Sequence, residues 1–148
     1  MLAKEIMTTN VVSVKKEATI TDVAALLVKH KISGLPVVDE EQRLVGMVTE
    51  GDLIHQDTKL HTPAFLEILG GVIYLENPQR VAKDLERMTA TKVVEIMTAK
   101  VFSVREDATI EDVATLMVER QVNRIPVVDA AGKLTGIVSR QDLVRAMI

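Results

Sequence analysis

The stretch "GMVTEGDL" at residues 46–53 returns at residues 136–143 as "GIVSRQDL". Each is a glycine, two apolar residues, a hydroxyl residue, two variable residues, an aspartate and a leucine. The offset is 136 − 46 = 90 residues, and at that offset residues 5–54 lie on residues 95–144 without a gap. EIMT meets EIMT, SV meets SV, ATI-x-DVA meets ATI-x-DVA, and PVVD meets PVVD. The chain is an internal duplication. Two copies are too few for a solenoid, so the copies are expected to bury their faces on each other.

Both copies carry the same local signals. Val11 to Val14 and Val101 to Val104 are short β-rich runs. Thr19 with Asp22, and Thr109 with Asp112, have the spacing of a helix-capping box. Behind them Ile20, Val23, Ala24 and Leu27, matched by Ile110, Val113, Ala114 and Met117, recur at helical spacing. Leu35 to Asp39 and Leu44 to Thr49 flank the polar turn "EEQR", as Ile125 to Asp129 and Leu134 to Ser139 flank "AAGK", which predicts a hairpin in each copy. A short helix is expected from near Glu50 and near Arg140. The order β-α-β-β-α, twice, predicts an α/β (α+β) fold of two pseudo-twofold-related repeats packed into one module, with two equivalent clefts between them.

The predicted organisation is repeat 1 over 1–56, an inserted and largely helical segment over 57–92, and repeat 2 over 93–148. The insert holds Phe65 and Tyr74 within "PAFLEILGGVIYL", and "NPQRVAKDLERM", where Asn77 can cap and Pro78 can open a helix. It is too apolar for a flexible linker. It either folds back on the pair or forms a self-association surface.

Composition narrows the function. With 148 residues, 47% of them hydrophobic, the chain can build a core; it has no cysteine, and hence neither disulfides nor thiolate metal sites. MLAKEIMTTN is not a signal peptide, and Ala64 to Leu75 is shorter than the roughly 20 residues of a spanning helix. A cytoplasmic protein without membrane partner is expected. A formal net charge of −3, with mixed charges along the chain, gives no footprint for nucleic acid.

The repeated phrase has two readings. In one, Thr49 and Ser139 are N-caps and Asp52 and Asp142 complete capping boxes, with no ligand needed. In the other, a carboxylate at a helix start grips a vicinal diol such as a ribose, and neighbouring N–H groups receive a phosphate. Gly46 and Gly136 either permit close backbone approach or mark a kink or bulge.

The spacing Gly-apolar-apolar-Thr/Ser-x-x-Asp-apolar, the strands "LPVVD" and "IPVVD", and the openings "IMT…VxSV…ATIxDVA" together resemble tandem CBS domains, the cystathionine-β-synthase-type regulatory modules. The resemblance covers both copies. It implies a non-enzymatic sensor that binds an adenosine-containing metabolite, of the AMP, ADP, ATP or S-adenosylmethionine type, with no cofactor required. It implies that Asp52 and Asp142 hold ribose hydroxyls, with Thr49, Ser139 and Arg140 near ribose or phosphate. By the same resemblance the cleft of Asp142 draws on Asn10, Val12, Ile32 and Ser33, and the cleft of Asp52 on Lys100, Phe102, Val122 and Asn123.

The copies differ where Gly34 faces Arg124 in the alignment. The resemblance places Arg124, a fork-shaped phosphate donor, toward the cleft of Asp52, which makes that the tighter site; the alternative for Arg124 is a solvated or salt-bridged residue. Phe102, where the first copy has Val12, either stacks on adenine or fills the pocket. The resemblance further implies a homodimer and a regulated protein partner that the sequence does not name.

Other chemistry is weakly represented. Asp52, His55, Asp57, His61 and His30 match no familiar metal-ligand spacing. No cysteine nucleophile, Gly-x-Ser-x-Gly or glycine-rich phosphate loop appears, so no enzyme is expected. The competing reading is a structural or oligomerisation scaffold with unoccupied clefts.

Overall fold

The computed structural model describes residues 1–55, 82, 83, 86 and 89–148. Asp57, His61, Phe65, Tyr74, Asn77 and Pro78, and with them most of the predicted helical insert, lie outside the described residues. The first repeat runs α1 (Ala3–Ile6), β1 (Val14–Lys15), α2 (Ile20–His30), β2 (Gly34–Val38), β3 (Leu44–Thr49) and α3 (Glu50–His55). The second repeat opens with a 3₁₀ turn (Val93–Glu95) in place of α1. It continues β4 (Val104–Arg105), α4 (Ile110–Arg120), β5 (Arg124–Val128), β6 (Leu134–Ser139) and α5 (Arg140–Arg145). The sheets have the orders β1-β2-β3 and β4-β5-β6.

Local chemistry sets the long helices. Thr19 Oγ1 accepts from the Asp22 N–H at 3.2 Å while Asp22 Oδ2 accepts from the Thr19 N–H at 3.0 Å, a reciprocal capping box. Thr109 Oγ1 accepts from the Asp112 N–H in the same way. Both helices end on a left-handed residue, Lys31 (φ 53°) and Gln121 (φ 54°). Neither is glycine, so each carries the steric cost of that conformation.

The β-rich runs at 11–14 and 101–104 yield only two-residue strands, and the reason is visible in the second sheet. Ile137 exchanges both backbone hydrogen bonds with Thr8, so its polar groups face away from β5. Its partner across the pair, Pro126, therefore turns its backbone toward β4. Proline has no N–H to donate there, and the parallel ladder stops at Val104↔Val127 and Arg105↔Val128.

The molecule divides into two compact units, and neither is a contiguous repeat: one is Met1–Val11, Val38–Leu44 and Lys100–Ile148, the other Val12–Val37 and Val45–Ala99. In the first unit the opening segment of repeat 1 serves repeat 2. The Ala3 N–H donates to Ala108 O at 2.8 Å, Thr8 bridges Ile137 on the free edge of β6, and Ala3 is buried with Val113, Met117, Ile125, Val127 and Val138. In the second unit the opening segment of repeat 2 serves repeat 1. The Val93 N–H donates to Ala18 O at 2.7 Å, Thr98 bridges Met47, and Val93 and Ile96 join the core of Ile20, Val23, Leu27, Leu35, Val48 and Leu53. Each core thus takes apolar residues from the far copy; fully burying one valine is worth about 1.5 kcal/mol.

The repeated glycines belong to this exchange. A Cβ on Gly46 would sit 2.5 Å from Met97 Sδ, and one on Gly136 would overlap Met7 Sδ. They make room for the methionine of each EIMT segment. Gly136 also adjoins a bulge, since the register slips between Val127↔Gly136 and Val128↔Leu134. Among the described residues no helix is long and apolar enough to cross a membrane.

Candidate functional site

Each repeat ends its second hairpin strand on a hydroxyl residue that caps a short helix. Asp142 Oδ2 accepts from the Ser139 N–H at 2.8 Å and from Ser139 Oγ at 2.9 Å, and Ser139 Oγ accepts from the Asp142 N–H at 3.2 Å. Asp52 repeats the pattern on Thr49, accepting from its N–H at 2.9 Å and its Oγ1 at 3.2 Å, with a return bond of 3.3 Å. The capping boxes are therefore real in both copies.

They do not exhaust the carboxylates. All of these bonds fall on Oδ2. Asp52 Oδ1 accepts no hydrogen bond among the described residues. Asp142 Oδ1 has only Arg145 Nη1 at 3.8 Å, a long contact from a side chain 72% exposed, which is worth little. A carboxylate has about four acceptor positions, so a capped aspartate whose second oxygen is open remains able to receive hydroxyl donors. Capping and sugar binding are compatible, and the cap holds the carboxylate in one orientation.

The remaining candidates divide between the units. In the first, Arg124 is in register with Ser139, and the Arg140 N–H donates to Asn123 O at 3.0 Å, so Asn123, Arg124, Ser139, Arg140 and Asp142 converge at one end of the sheet. Val122 adjoins them, half-buried against the core. Asn10 belongs to the same unit, but Thr8 pairs antiparallel with Ile137, so the chain from Thr8 to Asn10 runs toward Thr135 and away from the capping box of Ser139. Lys100 and Phe102 belong to the same unit. In the second unit the Glu50 N–H donates to Ser33 O at 2.9 Å, which sets Ser33 against the start of α3 with Thr49 and Asp52; Ile32 and Val12 pack half-buried on that unit's core.

Phe102 is 40% exposed and stands outside the core cluster of its unit. The Arg120 guanidinium lies over its ring, 4.4 Å from the centroid. Sequence reasoning missed Arg120, because no short-range pattern joins residues 18 positions apart (120 − 102 = 18). Among the described residues no group of three His, Cys, Asp or Glu could hold a metal ion.

The family model described as "CBS domain" matches residues 3–58 and 93–148. An uncharacterised protein of Methanocaldococcus jannaschii is 38% identical over 161 aligned positions, which span 100% of this chain and 92% of that protein. The crystal structure of CBSX2 in complex with AMP has a TM-score of 0.74 at 36% identity, covering 99% of this chain and 95% of that one. Of the full chloroplast CBSX2 protein of Arabidopsis thaliana the matching region spans 58%. The CBS domain pair of protein MJ0100, in complex with 5-methylthioadenosine and S-adenosyl-L-methionine, has a TM-score of 0.70 at 28% identity, covering 99% of this chain and 95% of that one.

Proposed function

The chain belongs to the CBS-domain family, and from that premise we propose that it is a non-enzymatic regulatory module that binds an adenosine-containing metabolite and signals its presence. The observation that carries this reading is the unspent second oxygen of Asp52 and Asp142, held in place by a cap on the first. Two neighbouring hydroxyls of a ribose can donate to it, and such charge-assisted bonds are about twice as strong as neutral ones. Support comes from the relatives with AMP or with methylthioadenosine and S-adenosylmethionine, whose shared part is the adenosine. Asn123, Arg124, Ser139 and Arg140 supply polar groups beside Asp142; Ser33 and Thr49 do so beside Asp52.

A ligand acts as a signal only if it favours one state over another. Here the states differ in conformation or in association. Val118, Val144 and Met147 stand 77%, 60% and 81% exposed on and just beyond α4 and α5, which supports self-association into a homodimer and, through it, a regulated protein partner.

Isothermal titration with AMP, ATP and S-adenosylmethionine tests the reading. At least one is expected to bind, and Asp52→Ala and Asp142→Ala are each expected to weaken one site by roughly 10- to 100-fold, the effect of losing hydrogen bonds to a charged group. Wild-type protein that gives no heat with any of the three, and copurifies with no nucleotide, is a scaffold instead.

A further inference from the structure

The methionine of each EIMT segment takes no part in the proposed adenosine site, yet both copies place it alike. Met7 packs half-buried against the core of Ala3, Val113 and Ile125, and Met97 half-buried against that of Ile20, Leu35 and Val48. The atoms nearest the missing side chain of Gly136 are Met7 Sδ and Cγ and Thr8 O; those nearest that of Gly46 are Met97 Sδ and Cγ and Thr98 O. Each sulfur thus fills a notch beside a carbonyl oxygen. Among the other described methionines, Met1 and Met147 are exposed and Met117 is buried.

A thioether suits that notch and a sulfoxide does not. The sulfoxide oxygen is a strong acceptor that cannot donate. Beside it stands a second acceptor already in use: Thr8 O takes the Ile137 N–H and Thr98 O the Met47 N–H, each at 3.0 Å. An unpaired polar atom is costly against an apolar core, so an oxidised methionine is better accommodated outside the notch. Its departure loosens the segment that the methionine anchors. The two segments are not held equally. The opening segment of repeat 1 buries Ala3 and half-buries Ile6, whereas at the corresponding positions that of repeat 2 buries the larger Val93 and Ile96. Less apolar surface holds the first segment, so oxidation frees it more readily.

We propose that Met7 and Met97 are a paired oxidation site for hydroperoxides, at which sulfoxide formation releases the opening segments from the cores they complete, residues 1–8 before residues 91–98. The sulfur lone pair attacks one oxygen of hydrogen peroxide, the O–O bond breaks, and the other oxygen leaves with both protons as water. Sulfur loses two electrons and the peroxide gains them. The proposal stands independently of adenosine binding.

Titration of the full chain with hydrogen peroxide, read by peptide mass spectrometry and amide hydrogen exchange, tests it. Sulfoxide is expected first at Met1 and Met147 without change in exchange. It then forms at Met7 and Met97, and protection of the Thr8 and Ile137 amides, followed by those of Met47 and Thr98, falls roughly tenfold, the scale of one buried polar group left unpaired. Met7→Leu combined with Met97→Leu keeps the bulk and is expected to hold that protection in peroxide. In the wild type, stereospecific methionine sulfoxide reductases are expected to restore it; this arm decides should the double variant not fold. Met7 and Met97 that stay reduced while Met1 and Met147 are fully oxidised overturn the proposal. So does sulfoxide at both positions with protection unchanged, an equal loss in the leucine variant, or a loss that reduction does not reverse.

Discussion

Asp52 and Asp142 make the same three capping bonds, but the helices that carry them are seated differently. Leu53, one residue on, is completely buried in its core, whereas its counterpart Leu143 only flanks its own. The hairpin tips differ too. Asp39 and Asp129 each accept two turn N–H groups through Oδ1, but the left-handed position holds Gln42 (φ 65°) in one copy and Gly132 (φ 81°) in the other. The difference teaches that duplication preserves geometry closed within a few residues, because one hydroxyl and one carboxylate are enough to specify it. Packing around it has been free to diverge.

The largest effect is expected at the seat of the helices. Leu53→Ala should cost about 3 kcal/mol in urea unfolding and Leu143→Ala about half as much; equal losses would mean that the two helices are seated alike after all. Next come the glycines, where the copies should agree. Gly46→Ala and Gly136→Ala each push a Cβ into a methionine sulfur and toward a carbonyl, at a cost of about 2 kcal/mol. Adding Met97→Ala to Gly46→Ala, or Met7→Ala to Gly136→Ala, should cost less than the two single changes summed, and strict additivity would remove the methionine from the explanation. Smaller and opposite in sign, Gln42→Gly should raise stability by about 1 kcal/mol by relieving a left-handed side chain; a loss would show that the glutamine side chain compensates. Smallest is Arg145→Ala, expected to move the melting midpoint by the equivalent of less than about 0.5 kcal/mol, given the 3.8 Å exposed contact with Asp142.

Much of this was readable from the residues. The capping boxes at Thr19, Thr49 and Ser139 follow from spacing alone, as do the helices of 20–30 and 110–120 and the hairpins. The runs at 11–14 and 101–104 read longer than the strands they form, because β-propensity does not see that Pro126 turns its missing N–H toward β4. The glycines suggested a ligand approach or a kink, and the structure adds a methionine beside each one. The sequence did hold a signal for that: Gly46 with Met97, and Gly136 with Met7, repeat at corresponding places.

By itself the sequence determined what lies within a turn or two of chain: the duplication, the helix starts, the hairpin turns and the position of two capped carboxylates. Such features depend on bonds between residues three or four apart, and spacing encodes them. Only the tertiary structure decided that each opening segment completes the core of the other copy, and that Arg120 settles on Phe102. Those contacts join residues far apart along the chain, and no local period records which distant surface has a vacancy of the right shape.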